Sequence, residues 1–165
     1  MAVCARSVST VRGRRAARLG GVLVLDNDAI NKAATDRNVA IFFAAALRKQ
    51  ARLITSSAVL TEILRGSDRD TKLNHVLSST RAVVEPVTED LARSAGKLIG
   101  DAGFDSTEVV DALVAATAHM YADRAEAAGQ QPDVLILTAD ATHLPGLAGD
   151  RKGVRVQNVK DIPSS

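Results

Sequence analysis

The chain has 165 residues, 46% hydrophobic and 24% charged, with three Phe, one Tyr and no Trp. That is enough apolar material for one α/β-sized core and too little for a second domain, and no apolar run approaches the roughly 20 residues of a membrane span. The near absence of aromatics also removes a platform for stacking bases. The net charge of +2 conceals an asymmetry: five of the 21 basic residues (Arg6, Arg12, Arg14, Arg15 and Arg18) fall in residues 1–20 with no acid, leaving 16 against 19 acids, a net of −3. That basic leader fits a transit peptide, a disordered arm and a misassigned start equally well. Residues 21–165 are then one mildly acidic domain. The single cysteine, Cys4, has no partner for an internal disulfide, which suits a reducing cytoplasm.

In chain order, Gly20-Gly21 marks the junction, and Val22–Leu25 is the short continuous apolar run of a buried parallel strand with Asp26 at its carboxyl end. Helical spacing of Ala40, Ile41, Phe43, Ala44 and Leu47 predicts a helix over 38–52. Leu53-Ile54-Thr55 follows as a second strand. Ser56 or Ser57 caps a helix from Ala58 to Arg65, ended by Gly66, which places Glu62 about a turn inside it. A hairpin of polar helices is expected around 68–78, a strand over 82–87, and a helix from Glu89 to Asp101 capped by Thr88 and broken by Gly103. The longest helix should start near Asp105, with Glu108 closing a capping box, and run through Asp111 to about Ala128 before Gly129. Val134–Leu137 reads as another buried strand, His143-Leu144-Pro145-Gly146 as an irregular loop, and Val154–Val159 as a last, alternating strand.

Strands alternating with helices imply a parallel sheet covered on both faces, with ligands beyond the carboxyl ends of its strands. No Gly-rich phosphate loop follows the first strand, so nucleotide cofactors are disfavoured. Four carboxylates lie in or just past apolar runs instead: Asp26, Glu62, Asp111 and Asp140. Near a core, a bare charge is costly unless it is paired, protonated or bound to a cation, and one shared metal accounts for all four. Taken singly each has a plainer reading: Asp26 or Asp28 as a helix cap, Glu62 paired with Arg65, Asp111 paired with a basic residue, Asp140 as the start of a turn. His75 and His119 read as surface or partly packed residues, and His143 stands close to Asp140. No His or Cys spacing supports zinc.

The segments Val24-Leu25-Asp26-Asn27-Asp28-Ala29-Ile30, Ser57–Gly66, Asp111-Ala112-Leu113-Val114-Ala115-Ala116-Thr117-Ala118 and Leu137-Thr138-Ala139-Asp140, in that order and spacing, resemble PIN-domain ribonucleases, more narrowly the VapC toxins of bacterial toxin–antitoxin pairs. The resemblance spans about residues 22–159 and implies a three-layer α/β/α PIN-like fold with a central, mostly parallel sheet. It further implies Mg²⁺ or Mn²⁺ held by Asp26, Glu62, Asp111 and Asp140, with Thr138 beside them, and RNA phosphodiester hydrolysis. A cognate antitoxin that covers the acidic pocket and a homodimer are implied as partners, and no membrane; the apolar Ile41–Leu47 helix is a candidate dimer contact. Two departures stand out: Asp28 where the family has Ser, Thr or Asn, and His143 where it often has a further acid.

Two other readings compete. Asp26-Asn27-Asp28 after a strand also resembles the nucleophile motif of haloacid-dehalogenase-type phosphatases, but no second acid lies between Asp140 and Asp150, and Asp111 would go unexplained. A non-catalytic nucleic-acid or protein-binding module would more naturally have lost one of the four acids.

Overall fold

The computed structural model describes residues 21–139 and 142–162; the basic leader of residues 1–20, Cys4 and Asp140 lie outside the described residues. Five strands, β1 (Val22–Leu25), β2 (Arg52–Ser56), β3 (Val83–Glu85), β4 (Val134–Thr138) and β5 (Val154–Asn158), form one sheet in the order β3-β2-β1-β4-β5, every pair parallel. The central strands carry the continuous apolar runs, because a strand covered on both faces has no polar side. Ile54, Val24 and Ile136 are fully buried side by side in register. At the edge, β3 is short, with Val83 and Val84 exposed.

The helices are α1 (Asn27–Thr35), α2 (Arg37–Arg48), α3 (Ser57–Ile63), α4 (Asp70–Ser79), α5 (Glu89–Ala102), α6 (Val109–Ala127) and α7 (Leu144–Ala148). Helices α1 and α2 pack on β1, β2 and β4, while α6 lies along the sheet with α5 and α7 against it, giving the expected three layers. Helix α6 is apolar on nearly every side and rich in alanine: Ala112, Ala115, Ala116, Ala118 and Ala122 are buried. Small side chains let the sheet on one side and α5 on the other approach closely, so this helix is an inner pillar rather than an amphipathic cover.

Local chemistry sets the boundaries. Asp36 accepts the Asn38 N–H and caps α2, splitting the predicted 38–52 helix from a separate α1 ahead of it. The end comes at Arg48 because Gln50 adopts φ +62°, outside the helical range. Ser56 and Thr88 cap α3 and α5 as the sequence predicts, and Gly103 ends α5 at φ +69°. Three expectations need correction. Residues 70–79 form one helix, not a hairpin of helices. Residues 144–148 are helical, since Pro145 falls in the first turn, where a missing N–H costs nothing, and Leu144 and Leu147 are buried three residues apart. Asp105 caps a single 3-10 turn through Thr107 instead of starting α6, and the Glu108 side chain turns away from any capping box. Among the described residues no helix is long and apolar enough to cross a membrane.

Candidate active site

The strand order reverses at β1, so β1 and β4 run side by side while their connections leave to opposite sides, the point beyond whose carboxyl ends open sheets of this type bind ligands. Asp26 is the first residue past β1. Its backbone N–H reaches Leu137 O at 3.3 Å, its Oδ1 accepts the Ala29 N–H at 3.0 Å as the cap of α1, and the Thr138 hydroxyl at the end of β4 bonds its carboxylate. Only 5% of Asp26 is exposed. Burial pushes its carboxyl up to about 7, repulsion from Asp28 and Asp111 adds to the rise, and the Thr138 and Ala29 bonds offset part of it.

Asp111, half-buried in the first turn of α6, faces the same space. Burial first, then a hydrogen bond to Glu108 and repulsion from Glu108 and Glu62, push its carboxyl up to about 6, against the opposite pull of His143. Glu62 differs from the buried acid its apolar surroundings suggest: it is exposed, and its Oε2 accepts the Asn27 amide at 2.5 Å across from α1. Its expected partner Arg65 instead donates to the Thr61 and Leu64 carbonyls. Asp28, two residues beyond Asp26, lines a groove of about 330 Å³ between α1 and α4 with Asn31, Lys32, Arg69 and Lys72.

The structure therefore brings Asp26, Glu62, Asp111, Asp28 and Thr138 to one end of the sheet. It also adds Glu108, which sequence reasoning did not place there, and gives His143, noted for its place close to Asp140, a definite partner. Glu108 contacts Asp111, and His143 Nδ1 lies 3.1 Å from Glu108 Oε2. One ligand atom each from Glu108, Asp111 and His143 lies within 4.8 Å of the others. The (i, i+3) spacing of Glu108 and Asp111 on one helical face was the available signal. The remaining histidines keep their plain readings: His75 is exposed, and His119 Nε2 bonds the Ala148 carbonyl at 2.9 Å.

Several carboxylates under mutual repulsion, with too few hydrogen-bond donors to neutralise them, fit a hard divalent cation, which takes oxygen ligands readily. Asp26 and Asp111, whose ionised forms are disfavoured without a counter-charge, are the side chains such an ion would stabilise most.

Comparison with known proteins agrees with this architecture. No curated protein matches the chain. A solved structure of VapBC-1 from nontypeable Haemophilus influenzae superposes with a TM-score of 0.50 at 14% identity, covering 83% of this chain and 97% of that one, a likeness of fold. The PIN domain model matches residues 23–144, well over half of the sequence and inclusive of Asp26, Glu62 and Asp111. The chain belongs to the PIN-domain family.

Proposed function

We propose that this PIN-domain protein is a divalent-metal-dependent endoribonuclease, and that it is the toxin of a toxin–antitoxin pair. The observation that carries the reading is the convergence of Asp26 and Asp111 at the strand-order reversal, each with its carboxyl pushed well above the ordinary range. Acids held in that state at the strand-order reversal mark a candidate site for chemistry. The likeness to a VapBC fold and membership of the PIN family support the same reading.

In this proposal Asp26, Glu62, Asp111 and Asp140 hold the cation, Mg²⁺ or Mn²⁺, and orient the attacking water. When bound, that ion supplies Lewis acidity at the scissile phosphate and a water of lowered pKa. The protein's share is positional. The Ala29 N–H and the Thr138 hydroxyl fix one rotamer of Asp26, and the Asn27 amide ties the exposed Glu62 to α1. Lys32, Arg69 and Lys72 flank the groove that begins at Asp28, and neither lysine has an ion pair among the described residues, so they are available to RNA phosphates. An antitoxin that fills the carboxylate pocket, for which an arginine is the apt group, would switch the site off. The homodimer belongs to the same proposal, although Phe43 of α2 is turned into the core and Phe42 and Ala46 pack half-buried against it.

The decisive experiment is cleavage of total RNA by purified protein with Mg²⁺, with Mn²⁺ and with EDTA, alongside Asp26→Asn and Asp111→Asn. Cuts that need a divalent ion and vanish in both variants are the expected result. Intact RNA with every ion, or cutting that survives both substitutions, would overturn the reading.

A further inference from the structure

His143 is held in place by its surroundings. It stands at the start of α7, its carbonyl accepting the Leu147 N–H at 3.0 Å, and the next residue, Leu144, is anchored in the core. Its ring meets Phe104 edge to face, with centroids 5.5 Å apart and planes at 81°. The Phe104 ring is itself confined: a Cβ at Gly146 would lie 3.2 Å from two of its carbons, so the loop and α7 close tightly around it. The imidazole is thereby fixed with Nδ1 directed at Glu108 Oε2, 3.1 Å away.

The opposite wall is equally defined. Glu108 ends a 3-10 turn and Asp111 lies one turn on, so both carboxyls project from one short stretch of backbone. They approach within hydrogen-bonding distance of each other. Carboxylate oxygens brought this close to one another are ligands that a divalent cation takes readily. The Thr107 hydroxyl, 3.1 Å from Glu108 Oε1, is too weak a donor to stand in for one. Two oxygens and one imidazole nitrogen lie within 4.8 Å of one another beside Asp111, in a group to which neither Glu62 nor Asp26 belongs.

We infer that Glu108, Asp111 and His143 form a cation position of their own, sharing Asp111 with the Asp26–Glu62 side, and that its nitrogen donor selects a transition-series divalent ion over Mg²⁺. Imidazole is a poor ligand for Mg²⁺, which is hard and dehydrates reluctantly, and a good one for first-row transition ions. A site of carboxylates alone has little means of separating Mn²⁺ from Mg²⁺; one fixed nitrogen supplies it. The inference rests on the proposed metal-dependent reading but is tested without catalysis.

Mn²⁺ serves as the probe on the full chain. Electron spin echo modulation of the bound ion reports ¹⁴N coordination, while calorimetric titration gives the Mn²⁺ and Mg²⁺ affinities. The expected results are nitrogen modulation in the wild type that is lost in His143→Gln, and a Mn²⁺-over-Mg²⁺ affinity ratio that falls roughly tenfold or more in that variant. Glu108→Gln should weaken Mn²⁺ binding by a similar factor. Thermal melting in EDTA shows that both variants are folded. Mn²⁺ bound without nitrogen modulation, or an unchanged ratio in His143→Gln, would mean that His143 merely ion-pairs with Glu108; the inference fails and the metal-dependent nuclease reading stands. Failure of the wild type to bind either ion would overturn both.

Discussion

Asp26 and Asp70 are both aspartates buried to more than nine-tenths, and both stand at the N-terminus of a helix, yet their surroundings push them in opposite directions. Asp70 Oδ2 accepts three backbone N–H groups, from Arg65 at 2.9 Å, Gly66 at 2.6 Å and Ser67 at 3.4 Å. Burial alone would raise its carboxyl, but those three donors and Arg69 hold it below the ordinary range. Asp26 receives one backbone donor and one hydroxyl, faces Asp28 and Asp111, and is pushed up to about 7. The loop after α3 spends its donors on closing itself; the end of β1 leaves a charge under-compensated. That contrast separates a latch from a site: in the first three backbone donors gather on Oδ2 and hold the charge, although Oδ1 is buried with no hydrogen-bond partner, and in the second something else has to hold it.

Substitution at the two positions should exchange function for stability. Asp26→Asn should lower RNA cleavage by at least about 100-fold, as the loss of a group acting at the reacting centre does. In EDTA at pH 8 the same variant should melt above the wild type, because it removes a charge that opposes folding; a lower melting temperature would show that Asp26 is structural. Asp70→Ala should do the reverse, lowering the melting temperature by stranding three N–H donors while each folded molecule keeps its activity.

Ionisation sharpens the same contrast. A carboxyl whose folded value is raised binds its proton more tightly in the native state, so its share of stability is present at low pH and is lost as pH rises from the ordinary 3.8 towards about 7. In EDTA that loss is bounded at about 4 kcal/mol for Asp26. Denaturant titrations across pH 4–8 should show a decline that Asp26→Asn flattens and Thr138→Val steepens, since the valine withdraws the hydroxyl that offsets the rise. Asp70 contributes with the opposite sign: its stabilisation is present above the ordinary carboxylate range and disappears on acidification below it, so Asp70→Ala should flatten only the acid limb. A divalent ion at 100 times its dissociation constant should add about 2.7 kcal/mol to the wild type and far less to Asp26→Asn, read as a melting shift. The smallest effect concerns the groove beside Asp28. Replacing Lys32, Arg69 or Lys72 with alanine should reduce the salt slope of single-stranded RNA binding by about 0.7 per lost phosphate contact, measured on uncleaving Asp26→Asn protein.

Much of the frame was legible in the residues. The runs Val22–Leu25 and Val134–Leu137 admit little besides buried parallel strands, and Thr88 with Gly103 brackets α5 by capping chemistry alone. Asp26 and Asp111 drew notice because charge inside an apolar run needs a reason. What escaped depended on partners that side-chain patterns do not encode. The three donors of Asp70 are backbone N–H groups, set by the shape of the 65–67 loop and not by its residue types. Glu108 reads as a capping-box residue until a 3-10 turn rotates it towards Asp111. Glu62, flanked by Leu60, Ile63 and Leu64, looks interior, but α3 is two turns long and presents that position to solvent. His143 was noticed for its place in the sequence, whereas its aim comes from Phe104, nearly forty residues earlier.

The central position of β1 has a consequence for how the protein is made. Asp26 emerges early in synthesis, but the strand that flanks it on one side, β4, is not complete until residue 138, and the Thr138 hydroxyl that orients its carboxylate comes last. Asp111 arrives on a helix that can already meet α5, β1 and β2, and that gains β4 only with that same strand. The surroundings of Asp26 are therefore finished only as β4 joins the sheet. A growing chain of this topology has its chemistry withheld by the order of its own folding.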